Sequence, residues 1–114
     1  MSVLIVDDHR AFRDSAQALL ELDGFEVVAT APDGASGIEL VRAIRPDVVL
    51  LDIALPDMSG FEVVEQVEPP TKVILTSSRQ SSDFGRRVST SGAAGFIPKD
   101  RLSGDAMRAL LAAA

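Results

Sequence analysis

The chain has no cysteine, no tryptophan and no tyrosine, and its 114 residues include one histidine. Without cysteine, disulfides and thiolate chemistry are excluded. No apolar run approaches the roughly 18 residues that a membrane-spanning helix requires. A secretory leader is not expected either, because Met1-Ser2-Val3-Leu4-Ile5-Val6 lacks a basic start and runs straight into Asp7-Asp8. The expected setting is cytoplasmic, away from membranes. Basic residues are also scarce, with 11 Lys and Arg against 17 Asp and Glu and a net charge of −6. Duplex binding rests on cations that neutralise phosphates, so no direct nucleic-acid binding is expected. Only Lys72 and Lys99 are lysines, and each is therefore worth examining.

What remains is ordinary for one globular domain, at 46% apolar and 25% charged residues. Short apolar runs alternate with helical patterns. Val3 to Val6 reads as a buried strand, and Phe12, Ser15, Ala16, Leu19 and Leu20 recur at helical spacing before the stop at Asp23-Gly24. Phe25 to Ala29 reads as a second strand, Pro32-Asp33-Gly34 as a turn, and 35–45 as a helix closed by Pro46. The run Val48-Val49-Leu50-Leu51 has the continuous hydrophobicity of a strand covered on both faces, and it ends in Asp52. Pro56, Asp57 and Gly60 supply turn chemistry, a short helix runs from about Gly60 to Val67, and Pro69-Pro70 breaks it. Val73 to Thr76 and Ala93 to Ile97 read as two further strands, separated by a polar loop over 77–82 and a helix over 82–91 of low propensity. A last helix is capped by Ser103, with Leu102 and Met107 placed as a hydrophobic staple. Five β-α units in succession predict an α/β domain, a doubly wound parallel sheet flanked by helices.

In such a sheet the carboxyl ends of all strands share one edge, where ligands bind. Asp7 and Asp8, Asp52, Thr76 and Lys99 all fall at those ends. Clustered carboxylates repel by roughly 4 kcal/mol per pair at 4 Å and an effective dielectric of 20, so such a cluster calls for a cation or a proton. Hard oxygen ligands without histidine or cysteine point to Mg²⁺. An ammonium at Lys99 and a hydroxyl at Thr76 add what phosphoryl transfer requires, which leaves Asp52 as a nucleophile able to form an aspartyl phosphate. Each residue also has a plainer explanation. Asp52 would simply end a strand, Asp7 or Asp8 would cap the first helix, Thr76 would be a β-branched strand residue and Lys99 a solvated one. Asp57 reads as a turn former and His9 as structural or exposed. It is the set on one edge that favours a site.

With these residues in place the chain resembles the receiver domain of bacterial two-component response regulators, with the CheY-like fold and strand order 2-1-3-4-5. The resemblance rests on Val3-Leu4-Ile5-Val6-Asp7-Asp8-His9, on Leu50 to Asp57 with Gly60, on Val73-Ile74-Leu75-Thr76, and on Gly92 to Lys99. The Asp-Asp-His start and the Leu-Pro-Asp segment look most like the NarL/LuxR class. It implies one receiver domain over 1–114. Asp52 would accept a phosphoryl group from a sensor histidine kinase or phosphotransfer protein. Asp8 would bind Mg²⁺ directly, Asp7 mainly through water, with Asp52 and the Ala54 carbonyl completing the protein ligands. Thr76 and Lys99 would contact the phosphoryl oxygens, and Phe96 would be the switch aromatic of a surface made by the fourth helix, fifth strand and fifth helix. Ala54 and Ser78 would tune self-dephosphorylation. The downstream partner would be a protein target or a DNA-binding output domain not present here, and a phosphorylation-dependent dimer is also admitted. Two departures stand out: the third helix is cut short by Pro69-Pro70, and proline precedes Lys99, so no cis Lys-Pro bond can form there.

The implied protein is no enzyme beyond its own phosphotransfer and dephosphorylation. Two other readings remain beside it. One is a Mg²⁺-dependent small-molecule phosphatase with an Asp nucleophile, although such enzymes carry a second acid where this chain has Ala54. The other is an interaction module that works without phosphorylation.

Overall fold

The computed structural model describes residues 1–78 and 84–113. Its elements run β1 (Ser2–Val6), α1 (Arg10–Leu22), β2 (Glu26–Ala31), α2 (Gly34–Ile44), β3 (Val48–Asp52), α3 (Gly60–Gln66), β4 (Lys72–Ser77), α4 (Gly85–Thr90), β5 (Gly95–Pro98) and α5 (Gly104–Ala113), with a 3-10 turn at Lys99–Arg101 before α5. The strands form one parallel sheet in the order β2-β1-β3-β4-β5. This is the order the resemblance implied.

Strand side chains point alternately to the two faces, so each strand feeds two cores. Val3, Ile5, Val48, Leu50 and Ile74 pack with Ala16 and Leu20 of α1 and Met107 and Leu111 of α5. Leu4, Val6, Val49, Leu51, Val73 and Leu75 pack with Val41 of α2 and Phe61, Val63 and Val64 of α3. Burial on both faces explains why β3 is apolar at every position up to Asp52.

The helix starts are built differently. Asp33 caps α2 by accepting from Ser36 N–H, and Ser59 with Glu62 forms a capping box on α3. Ser103 Oγ accepts from Ala106 N–H at the start of α5 as expected. Leu102 and Met107 fall in the same core cluster. α1, in contrast, has His9 at its N-cap and no side-chain cap, so the plainer role of Asp7 or Asp8 as its cap is not realised.

Several boundaries differ from the sequence expectation. β2 starts and ends later than Phe25 to Ala29, because its register with β1 shifts between Val3 and Leu4 and carries the pairing on to Ala31. β5 spans Gly95–Pro98 rather than Ala93 to Ile97, and as an edge strand it accommodates Pro98 opposite Ser77. Ser15 of α1 is exposed rather than part of the buried stripe. The beginning of the expected fourth helix, and most of the loop before it, lie outside the described residues. The described α4 is short and has no buried residue. α3 is short too, and a cis Pro69-Pro70 bond follows it.

Candidate functional site

Four strand ends deliver the expected residues to one crevice. Register pairs Asp52 with Thr76 across β3 and β4, and Asp7 follows β1 directly beside β3. Asp7 is fully buried and Asp52 nearly so, whereas Asp8 is exposed at the rim. Ligand oxygens of Asp7, Asp8 and Asp52, together with a ring nitrogen of His9, all lie within 4.8 Å of one another.

Lys99 binds this cluster from the β5 side. Its Nζ is 2.7 Å from Asp7 Oδ2 and 3.2 Å from Asp52 Oδ2, and it also stands 4.6 Å from the centre of the Phe12 ring. The contact with Asp7 is a buried ion pair, and the Lys99 ammonium is the partner of Asp7 Oδ2. Asp7 Oδ1 accepts from His9 N–H at 2.8 Å, and the Asp7 carbonyl accepts from the Arg13 guanidinium at 2.7 Å. Asp52 Oδ1 accepts from Ala54 N–H at 3.1 Å.

The electrostatics follow from this crowding. Burial pushes the Asp52 carboxyl above the ordinary aspartate value; the Ala54 N–H and Lys99 oppose that shift, and the Asp7 charge adds to it. Partial burial pulls the Lys99 ammonium down, but its contacts with Asp7 and Asp52 outweigh burial and hold it above the ordinary lysine value. The ammonium is therefore fixed in its charged form, within reach of the Asp52 carboxylate.

The other expected residues are more scattered. Thr76 is buried and its Oγ1 donates to Ile97 O at 2.7 Å, so the hydroxyl is engaged with β5 rather than with Asp52. Ala54 is exposed at the crevice mouth and pairs with Ser59 in an isolated bridge. Ser78 is exposed just beyond β4. Phe96 is half-buried and its ring meets Phe84 at 6.1 Å, while Phe84 meets Phe61 of α3 at 6.3 Å.

Two residues were undervalued in the sequence. His9 is not a bystander: its Nδ1 is 3.1 Å from both Asp7 Oδ1 and Asp8 Oδ1. Its position straight after two strand-end acids was the available signal. Asp57 is more than a turn former, since its two carboxylate oxygens accept from Gly34 N–H at 2.8 Å and Ala35 N–H at 2.9 Å. It caps α2 from another loop, a contact that no local pattern announces.

Comparison with known proteins gives one consistent answer. The family model of the response regulator receiver domain matches residues 3–111. The chain is 38% identical over 100 residues to the virulence factors putative positive transcription regulator BvgA of Bordetella pertussis, covering 85% of this chain and 48% of that protein. It is 39% identical over 113 residues to the probable transcriptional regulatory protein NarL of Mycobacterium tuberculosis, covering 96% of this chain and 52% of that one. The chain thus spans about half the length of the curated relatives it matches. Among solved structures, the signal receiver domain of the M. tuberculosis NarL superposes with a TM-score of 0.85 at 38% identity, covering 98% of this chain and 94% of that chain. A CheY-like receiver domain protein from Methanospirillum hungatei gives 0.84 at 29% identity, covering 98% and 91%. No helix among the described residues is long and apolar enough to cross a membrane. Fold, strand-end acids and kinship agree, and the chain belongs to the family of response regulator receiver domains.

Proposed function

We propose that Asp52 is the phosphoacceptor of this receiver and that Asp7, Asp8, Asp52 and the Ala54 carbonyl hold Mg²⁺ beside it. The observation that carries this reading is the placement of the Asp52 carboxylate at the carboxyl end of β3, 3.2 Å from the Lys99 ammonium and next to two further acids. The donor set fits the metal. The acidic side chains offer hard oxygens, and three carboxylates stand together against the Lys99 ammonium, an excess of negative charge that a divalent cation would offset. Mg²⁺, when bound, neutralises the acids and draws charge from a phosphoryl group.

The chain's own residues do the rest. An Asp52 oxygen forms the new P–O bond as the P–N bond to a sensor-kinase phosphohistidine breaks, and the leaving imidazole takes up a proton. Lys99, kept charged by its two carboxylates, moves from neutralising Asp52 to neutralising the phosphoryl oxygens. Thr76 reaches those oxygens by giving up its bond to Ile97 O, and that change in β4 and β5 is passed to Phe96. A switched α4-β5-α5 surface then engages a protein target, an output domain or a second copy of the chain. The shortness of α4 and its lack of buried residues fit an element of low local stability. Small residues at Ala54 and Ser78 leave water an easy approach to the phosphoryl group. Ala54 also offers no second acid for catalysis on small phosphate esters.

The test is direct. Incubation with Mg²⁺ and acetyl phosphate should add one phosphoryl mass to the wild-type chain and none to Asp52→Asn. An intact wild type that gains no mass overturns the reading, and equal labelling of Asp52→Asn moves the acceptor elsewhere.

A further inference from the structure

The geometry points to His9 as a nitrogen ligand of the acidic site, giving that site a preference for first-row transition ions such as Ni²⁺ and Co²⁺ beyond what its oxygens confer. The inference rests on the proposed placement of a divalent ion among Asp7, Asp8 and Asp52, and adds a ligand to it. His9 is the only histidine, and its backbone is fixed at the rim by the bond from its N–H to Asp7 Oδ1. Its Nδ1 stands 3.1 Å from one oxygen of Asp7 and 3.1 Å from one of Asp8, and the four donors, with Asp52, lie within 4.8 Å of one another. Donors on one ion with bonds of roughly 2.0–2.2 Å stand at most about 4.4 Å apart, so a shift of a few tenths of an ångström among these side chains brings the set onto one ion. The Lys99 ammonium, 2.7 Å from Asp7 Oδ2 and 3.5 Å from His9 Nδ1, is the cation that stands beside these donors, and an ion ligated by His9 must draw Nδ1 away from it.

The consequence is selectivity. Mg²⁺ favours oxygen and keeps its waters, so an imidazole adds little to its binding. Imidazole suits Ni²⁺ and Co²⁺, whose affinities also rise along the first-row series. A site with only carboxylates and a carbonyl would lack this added discrimination. The competing arrangement has Nδ1–H donating to both carboxylates, a clamp that any cation must displace. The two arrangements predict opposite effects of removing the ring.

Calorimetric titration of the chain, carrying no polyhistidine tag, with NiCl₂, CoCl₂ and MgCl₂ separates them. His9→Ala and His9→Gln should each weaken Ni²⁺ and Co²⁺ binding by about tenfold or more, the scale that outer-shell partners alone command. Mg²⁺ affinity should stay within about threefold, since an oxygen-preferring ion gains little from the ring. The His9 side chain is 66% exposed, so neither substitution threatens the core. As the sole histidine it also supplies its own reporter, because its imidazole proton signals should broaden or shift on adding one equivalent of Co²⁺. Imidazole signals untouched by Co²⁺ overturn the inference, as do Ni²⁺ and Mg²⁺ affinities that move together or rise in the variants. If Mg²⁺-dependent labelling of Asp52 persists while the imidazole does not respond, His9 alone loses its role. If Mg²⁺ neither binds nor supports labelling, the functional reading itself fails.

Discussion

Asp52 and Asp57 flank a single loop and meet opposite environments. Asp52 sits in the crevice among other acids, almost without access to water, and its carboxyl is pushed upward by burial. Asp57 is exposed, and two backbone N–H groups at the start of α2 hold its carboxyl below the ordinary value. One carboxylate is held where its charge is costly and the other where its charge is solvated and paired with a helix terminus. Strain of the first kind is what a reactive or metal-binding group requires. The second kind braces the loop that carries the first.

The difference can be inverted with metal, and this should produce the largest effect on stability. At 100 times its dissociation constant, Mg²⁺ should stabilise the wild type by about 2.7 kcal/mol and Asp52→Asn clearly less. Without metal the order reverses. A folded-state pKa raised above the unfolded value means that the native chain binds the proton more tightly, so stability falls as pH rises through the window above the ordinary carboxylate value and stays lower at neutral pH. Metal-free Asp52→Asn should therefore melt a few degrees above the wild type at pH 7, with the gap closing as pH falls toward the ordinary carboxylate range. Melting curves followed by circular dichroism across pH, with and without Mg²⁺, check both halves.

Gly60, the first residue of α3 just past Asp57, sharpens the comparison. A Cβ there would stand 2.6 Å from the Asp52 carbonyl oxygen and 2.8 Å from Ile53 Cα, both backbone atoms that cannot swing away. Gly60→Ala should cost about 1–3 kcal/mol in denaturant unfolding, the range for overpacking a tight site. The smallest effect belongs to Asp57→Ala, which removes the brace and leaves Asp33 as the side-chain cap of α2. Its melting temperature should drop modestly at pH 7. A depressed folded-state pKa gives stability that is present above the unfolded value and lost as pH falls through the folded one, so the difference from wild type should vanish in acid. A difference that persists undiminished at low pH would remove the cap from the explanation.

Much of the site was legible because its logic is periodic. Strands buried on both faces are read from continuous apolar runs, and parallel connection forces their carboxyl ends to one edge. That placement brings Asp7, Asp52, Thr76 and Lys99 together from the sequence alone. The boundaries of β2 and β5 were less legible, since a register shift at Val3/Leu4 and an edge position for Pro98 depend on the neighbouring strand. The state of Thr76 was hidden as well. Nothing local reveals that its hydroxyl donates to Ile97 across the β4-β5 pair.

The β-α order, the two-faced core and the acids at the strand ends can be read from the chain alone, because each follows from hydrophobic period and turn chemistry within a few residues. No local pattern announces that His9 stands against both Asp7 and Asp8, that Lys99 is shared by Asp7 and Asp52, or that Asp57 braces α2. Those contacts depend on side-chain directions and distances between elements far apart in the chain. The strand periodicity brings the groups to one edge, and packing in three dimensions determines which of them touch.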